Sequence, residues 1–143
     1  MPRADFYVLS TGGDSARPHF ACRIAEKAFE QGQTIYLHTA SSGDSQQLDE
    51  LLWTFRDGSF LPHEVFDGQS DIHSRVLILV GHGPGPVSHQ QTLVNLTSDF
   101  VPDCERYERV IEIVPTDPEH KRLARERFKQ YRERGYALET HNI

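Results

Sequence analysis

The stretch with the strongest claim to chemistry is residues 76–86, VLILVGHGPGP, where an apolar run opens into Gly81, Gly83 and Gly85. Glycine loops after buried strands often hold phosphates, because backbone N–H groups and the next helix's N-terminus face the anion. A dinucleotide fingerprint would need a third glycine at position 86, which is proline, and then a helix. The next periodic segment, residues 91–97 (QTLVNLT), has the pattern of a strand. A P-loop would need Gly-Lys-Ser/Thr, and no lysine occurs from Arg75 to Phe100. Pro84 and Pro86 also remove two N–H donors from the would-be cradle. The loop reads as a polar connection between two strands.

Other reactive side chains assemble no better. The eight histidines (His19, His38, His63, His73, His82, His89, His120 and His141) form no HxH, HxxxH or HxxEH pattern with nearby carboxylates. They read as solvated or core histidines, and no metal site is expected. Ser10-Thr11-Gly12-Gly13-Asp14 follows the first strand, where an open α/β sheet places ligands, but it lacks lysine. Gly43-Asp44-Ser45 reads as a helix cap rather than a GxSxG nucleophile elbow. No nucleophile, base and oxyanion donors come together, so the expectation is no catalytic residue, no cofactor and no enzyme activity of its own. A nucleotide-binding or hydrolytic enzyme on the same sheet is the alternative.

The elements that would position these residues alternate in type. DFYVLS reads as a first strand, and DSARPHFACRIAEKAFEQG as a helix with Phe20, Ala21, Ile24, Ala25, Ala28 and Phe29 at helical spacing and Gly32 as its stop. TIYLHT is a second strand, and GDSQQLDELLWTF a second helix with Asp44 or Ser45 as N-cap. RVLILVG and QTLVNLT are further strands. RYERVIEIVP fits either period, but its branched residues favour a strand ended by Pro115. The last helix takes Asp117 as N-cap, Pro118 as its first residue and Gly135 as its stop, and YALET closes the chain as a strand. This order predicts one α/β domain over residues 1–143: three α/β/α layers around a largely parallel open sheet.

Apolar side chains off the core faces point to partners. Leu48, Leu51, Leu52 and Phe55 mark the buried stripe of the second helix, and Trp53 lies ~140° around the axis from Leu48. Together with the following Phe60, Leu61, Pro62 and His63, it makes an aromatic group of the kind that anchors protein partners. The competing reading is that the loop folds back and buries Trp53. On the last helix, Leu123, Ala124 and Tyr131 face inward, while Lys121, Arg125, Lys129 and Arg132 gather within ~80° on another side. Phe128 falls on the border. A ring beside a row of cations can take a short acidic peptide with an aromatic end. The plainer alternative is a solvated charged helix.

Composition narrows the class. The chain has 143 residues, 37% hydrophobic and 25% charged, with a formal net charge of −6. Residues 120–134 hold seven Lys or Arg against two Glu, which leaves the rest at 8 basic against 19 acidic, or −11. One basic helix on an acidic body suits a compact anionic partner, and direct nucleic-acid binding is not expected. No apolar run approaches the ~20 residues that span a bilayer, and MPRADFYVLS lacks a secretory h-region. Cys22 and Cys104 show no metal or disulfide spacing, and Cys22 reads as a core thiol. The expected address is the cytoplasm, with no membrane contact.

LDELLWTFRDGSFLPHE and LARERFKQYRERGYAL, with the initial DFYVL and the central LVNL, resemble the chi subunit of bacterial DNA polymerase III. The resemblance runs in order along nearly the whole chain and is weakest across residues 64–75 and the Gly-Pro loop. It implies a non-catalytic accessory protein of the clamp-loader assembly, acting in DNA replication. Chi proteins pair with a psi subunit that tethers them to the clamp loader, and they grip the acidic, Phe-ended C-terminal tail of single-stranded DNA-binding protein (SSB). Carried over by position, the psi-facing surface would include Trp53, Phe60, Pro62 and His63; another protein could use the same surface. The tail site would include Val114, Lys121, Arg125, Phe128, Lys129, Gly135 and Tyr136. Position 128 is often tyrosine in the family, so Phe128 keeps the apolar wall and gives up one hydroxyl.

Overall fold

The computed structural model describes every residue except 1, 57–59, 67, 69–75 and 87, and every described side chain except that of Asp14. His73 and Arg75 therefore lie outside the described residues. Seven strands form one sheet: β1 (Arg3–Val8), β2 (Ile35–His38), β3 (His63–Val65), β4 (Ile78–Gly81), β5 (Thr92–Asn95), β6 (Arg109–Val114) and β7 (Ala137–Asn142). Their spatial order is β3-β4-β2-β5-β6-β1-β7. All six pairings are parallel, from Val65↔Val80 at one edge to Val8↔Asn142 at the other. The expected largely parallel open α/β sheet is thus parallel throughout its described strands. β3 lies in the segment read as an outward-facing aromatic group and was not expected. Three residues are too few to show a period of two, so pairing with β4 makes this strand rather than pattern.

Alternation along the strands feeds two apolar layers. Ile35 and Leu37 turn to one face, where they meet Ala21, Cys22 and Ala25 of helix α1 (Ala16–Glu30) and Leu48 and Leu52 of helix α2 (Ser42–Thr54). Tyr36 turns to the other face, in a cluster with Phe6, Val110 and Val114 and with Ala124 and Tyr131 of helix α3 (Pro118–Glu133). The three layers follow from that division. No helix among the described residues is long and apolar enough to cross a membrane.

Helix ends follow local chemistry. Asp117 caps α3, its Oδ2 accepting from the His120 amide at 3.0 Å, and Pro118 opens the helix where its missing N–H costs nothing. Gly135 ends it at φ +83°, a conformation that costs an L side chain. The expected cap of α2 is corrected: the N-cap is Ser41, whose hydroxyl accepts from the Asp44 amide at 3.2 Å, so the helix starts earlier. A 3-10 turn over Gly13–Ser15 precedes α1. On α1, Phe29 is exposed, whereas Arg17, not expected inside, is buried. Cys22 is fully buried, and burial pushes its thiol up to about 12.

Candidate functional site

The site at α3 is built from four elements. Phe6 and Val8 of β1, Val114 of β6 and Thr140 of β7 form the floor, and α3 supplies Lys121, Ala124, Arg125 and Phe128 as the wall. Together they enclose a cleft of about 260 Å³. Ala124 has no side chain beyond Cβ to fill this space. The Phe128 ring is half-buried and packs edge-on against Phe6, centroids 5.2 Å apart, leaving part of its surface on the cleft.

The seven cations of residues 120–134 divide by environment. Arg127 points inward, and its Nε donates to Glu112 Oε1 at 3.1 Å. Arg122 is held by Glu119 and Glu126, and Arg134 lies over the Phe100 ring at 4.5 Å, with Glu105 3.9 Å away. Lys121, Arg125, Lys129 and Arg132 pair with no carboxylate among the described residues. These four are the cations that helical spacing placed on one side. Lys121 and Arg125 line the cleft; Lys129 and Arg132 are exposed on the same helix but outside its lining. Gly135 and Tyr136 also fall outside it. Tyr136 is buried, its hydroxyl donates to Cys104 Sγ at 3.3 Å, and its ring packs on Tyr131 at 5.1 Å, so this turn anchors the end of α3. Leu123 is half-buried rather than fully inward.

Sequence reasoning missed what holds α3 in place. Glu112, in the middle of β6, is fully buried and accepts from Arg127 Nε, Tyr131 Oη (2.8 Å) and Asn95 Nδ2 (3.0 Å). Arg127 Nη1 also donates to the Ser98 carbonyl at 2.8 Å. The signal was present: position 127 stands on the stripe of Ala124 and Tyr131, three residues after one and four before the other.

At the opposite sheet edge, Trp53 is 44% exposed and Phe60 73% exposed, with ring centroids 5.3 Å apart. Trp53 is not sealed by the segment that follows it. His63 lies beneath, its centroid 4.3 Å from that of Trp53. Its Nδ1 faces the Leu61 carbonyl at 2.6 Å and its Nε2 the Asp49 carbonyl at 3.0 Å. Leu61 is buried in the core and Pro62 is half-buried. The outward part of the group is therefore Trp53 and Phe60; Val65 of β3, which sequence reading did not include, is also exposed. Leu61 and His63 support it from inside.

The Gly-Pro loop has a packing explanation. A Cβ at Gly81 would collide with Tyr36 Oη, and one at Gly85 with Tyr107 Oη. Tyr36 also donates to the Gly83 carbonyl at 2.6 Å. The glycines make room for two tyrosines, and the loop leads into β5, not a helix. Among the described residues, Asp5, Glu139 and His141 bring metal-type ligand atoms together. The guanidiniums of Arg3 and Arg109 already stand 2.9 and 2.6 Å from Asp5 Oδ2 and neutralise that carboxylate.

The architecture is that of an open parallel α/β domain with helices on both faces. In that respect it resembles part of the chain in the crystal structure of T4 UvsW, with a TM-score of 0.69 at 8% identity. The match takes in 99% of this chain and 41% of that one, and at such low identity it speaks for the fold alone. The chain belongs to the family described as DNA polymerase III chi subunit, HolC, which it matches over residues 1–139. It is 40% identical over 146 residues to the DNA polymerase III subunit chi of Pseudomonas aeruginosa, covering 100% of this chain and 98% of that protein. It is 29% identical to the subunit of the same name from Escherichia coli, covering 98% and 97%, and 26% identical to that of Haemophilus influenzae, covering 98% and 96%. Membership makes it an accessory subunit of a DNA replication polymerase.

Proposed function

We propose that this chi-family chain is a non-catalytic adaptor that joins the clamp-loader assembly to SSB. The cleft beside Phe128 takes the aromatic end of the acidic SSB tail. Lys121 and Arg125 pair with its terminal carboxylates, and Lys129 and Arg132 attract the acidic residues further back. The Trp53, Phe60 and Val65 face takes psi, or another protein at the same surface, and through it the clamp loader. The observation that carries the reading is an apolar cleft edged by cations that no carboxylate of the described residues neutralises. A fixed charge left unpaired beside an apolar slot is complementary to an acidic chain with an apolar terminus.

Placement supports the division of labour. β3 and β1 are five strand spacings apart, so the two faces stand roughly 24 Å from each other at about 4.8 Å per spacing. Two partners of ordinary size could occupy them together. Exposed charge pairs contribute only about 0.2–1 kcal/mol each, so one tail binds weakly. Several tails on one coating protein, read by a tethered adaptor, raise the effective affinity. The test is calorimetric titration with a peptide of acidic residues ending in Pro-Phe, expected to bind at micromolar strength. The same peptide with an amidated terminus is expected to bind more weakly, and equal affinity for both would refute the carboxylate pairing.

A further inference from the structure

The carboxyl ends of β2 and β5 carry a second cavity, distinct from the docking faces. It has a volume of about 350 Å³, and Pro18, Leu48, Leu51 and Leu96 form its apolar walls. Arg17 also lines it. The location has a topological basis. After β2 the chain crosses to the face of α2, whose Leu48 and Leu52 join one core cluster. After neighbouring β5 it crosses to the other face, where Val101, Cys104 and Tyr107 join the second. Adjacent parallel strands whose connections diverge in this way open a crevice, the usual ligand position in open α/β sheets.

Arg17 is the unusual group in this crevice. It is only 9% exposed, yet its hydrogen bonds are incomplete. Nη2 donates to the carbonyls of Asn95 (3.3 Å) and Thr97 (2.9 Å), Nη1 has no hydrogen bond among the described residues, and Nε is buried without a partner. Arg17 pairs with no carboxylate of the described residues. The buried network nearby holds two guanidiniums, Arg17 and Arg127, against one carboxylate, Glu112, and so carries one surplus positive charge. An uncompensated buried charge is costly, and a bound anion would offset that cost. α1 begins beside it with no side-chain cap and no acidic residue in its first turn, so its amide dipoles add to the positive field.

We infer that this crevice binds a small monoanionic carboxylate with an apolar body, the carboxylate meeting Arg17 and the body lying against Leu48, Leu51 and Leu96. One guanidinium suits a single negative charge, and Asp44, also on the lining, disfavours a polyphosphate. Apolar walls with a small number of polar and charged groups are the usual composition of a small-ligand site, and the volume lies within the range of such sites.

The test is a nitrogen-15 NMR titration of the whole chain with hexanoate, following backbone amides and arginine Nε–H signals, with hexanol and sodium phosphate in parallel. Hexanoate is expected to give saturable millimolar shifts at Arg17, Thr39 and Leu96, with neither control matching them. Gln47→Trp fills the mouth from an exposed rim position without touching the buried network, and should weaken the response by roughly tenfold. Arg125→Ala, in the other cleft, should leave it unchanged. Absence of saturable shifts would overturn the inference. So would an equal response to hexanol, a stronger one to phosphate, or a response lost in Arg125→Ala but kept in Gln47→Trp.

Discussion

Arg127 Nε lies 3.1 Å from Glu112 Oε1, with the arginine side chain 4% exposed and the glutamate fully enclosed. This pair joins α3 to β6 and thereby fixes the wall of the cleft against its floor. Glu112 also receives Tyr131 and Asn95, so its charge satisfies three neighbours at once. Removing one partner of such a group leaves the others desolvated and unpaired.

Glu112→Gln should therefore destabilise the chain by about 3–5 kcal/mol, because it strands the Arg127 charge inside. Glu112→Gln combined with Arg127→Met should recover part of that loss. Urea unfolding of the single and double variants measures both. A single variant as stable as the parent would show that the pair does not hold the helix.

Acid should loosen the β1–β7 side of the sheet. Burial pushes the Asp5 carboxyl up, but hydrogen bonds from Arg109, His141 and Arg3 outweigh it and hold the group below the usual carboxylate range. A depressed folded value means stability that is present above about pH 4, the ordinary aspartate value, and is lost as pH falls through the folded value. Asp5→Asn should be less stable at neutral pH and should lack that acid-limb slope. Unfolding free energies measured from pH 7 down to the acid limit compare the two chains.

The cysteines should be inert in the folded chain. Burial raises the Cys22 thiol to about 12, and burial also raises Cys104. Thiolate is the reactive form, so iodoacetamide at mildly alkaline pH should label neither residue until denaturant is added. Mass spectrometry of the labelled chain reads this directly.

Trp53→Ala should separate docking from folding. The ring is substantially exposed, so its removal should cost no more than about 1 kcal/mol of stability. Capture of psi should fall sharply while binding of the tail peptide stays unchanged, since the two faces stand at opposite sheet edges. Parallel pull-down and peptide titration on one variant preparation would show it, and joint loss of both would contradict two separate surfaces.

Much of the fold is legible in the sequence because its cues are local. Asp117, Pro118 and Gly135 delimit α3 by cap and turn chemistry alone, and Pro115 ends β6. The row of four cations and the border position of Phe128 were legible from helical spacing, since a helix fixes which side chains share a face. The floor of the cleft was not, because Phe6, Val8 and Thr140 reach it only through the β6-β1-β7 pairing of distant segments. Glu112 and Arg127 were missed for a different reason. A charge on a helix usually means solvent, and only the partner across the layer shows that Arg127 is internal. β3 exists through its neighbour β4 and leaves no period of its own.

The proposed adaptor role requires the Phe128 cleft to receive an acidic, Phe-ended terminus. Its most direct test is the affinity of that peptide for the parent chain, Arg125→Ala and Lys129→Ala, each first shown to be folded. Micromolar binding is expected for the parent, with most of it lost in Arg125→Ala, whose side chain lines the cleft, and also much reduced in Lys129→Ala, which stands just beyond it. Binding undiminished in both variants would contradict the assignment.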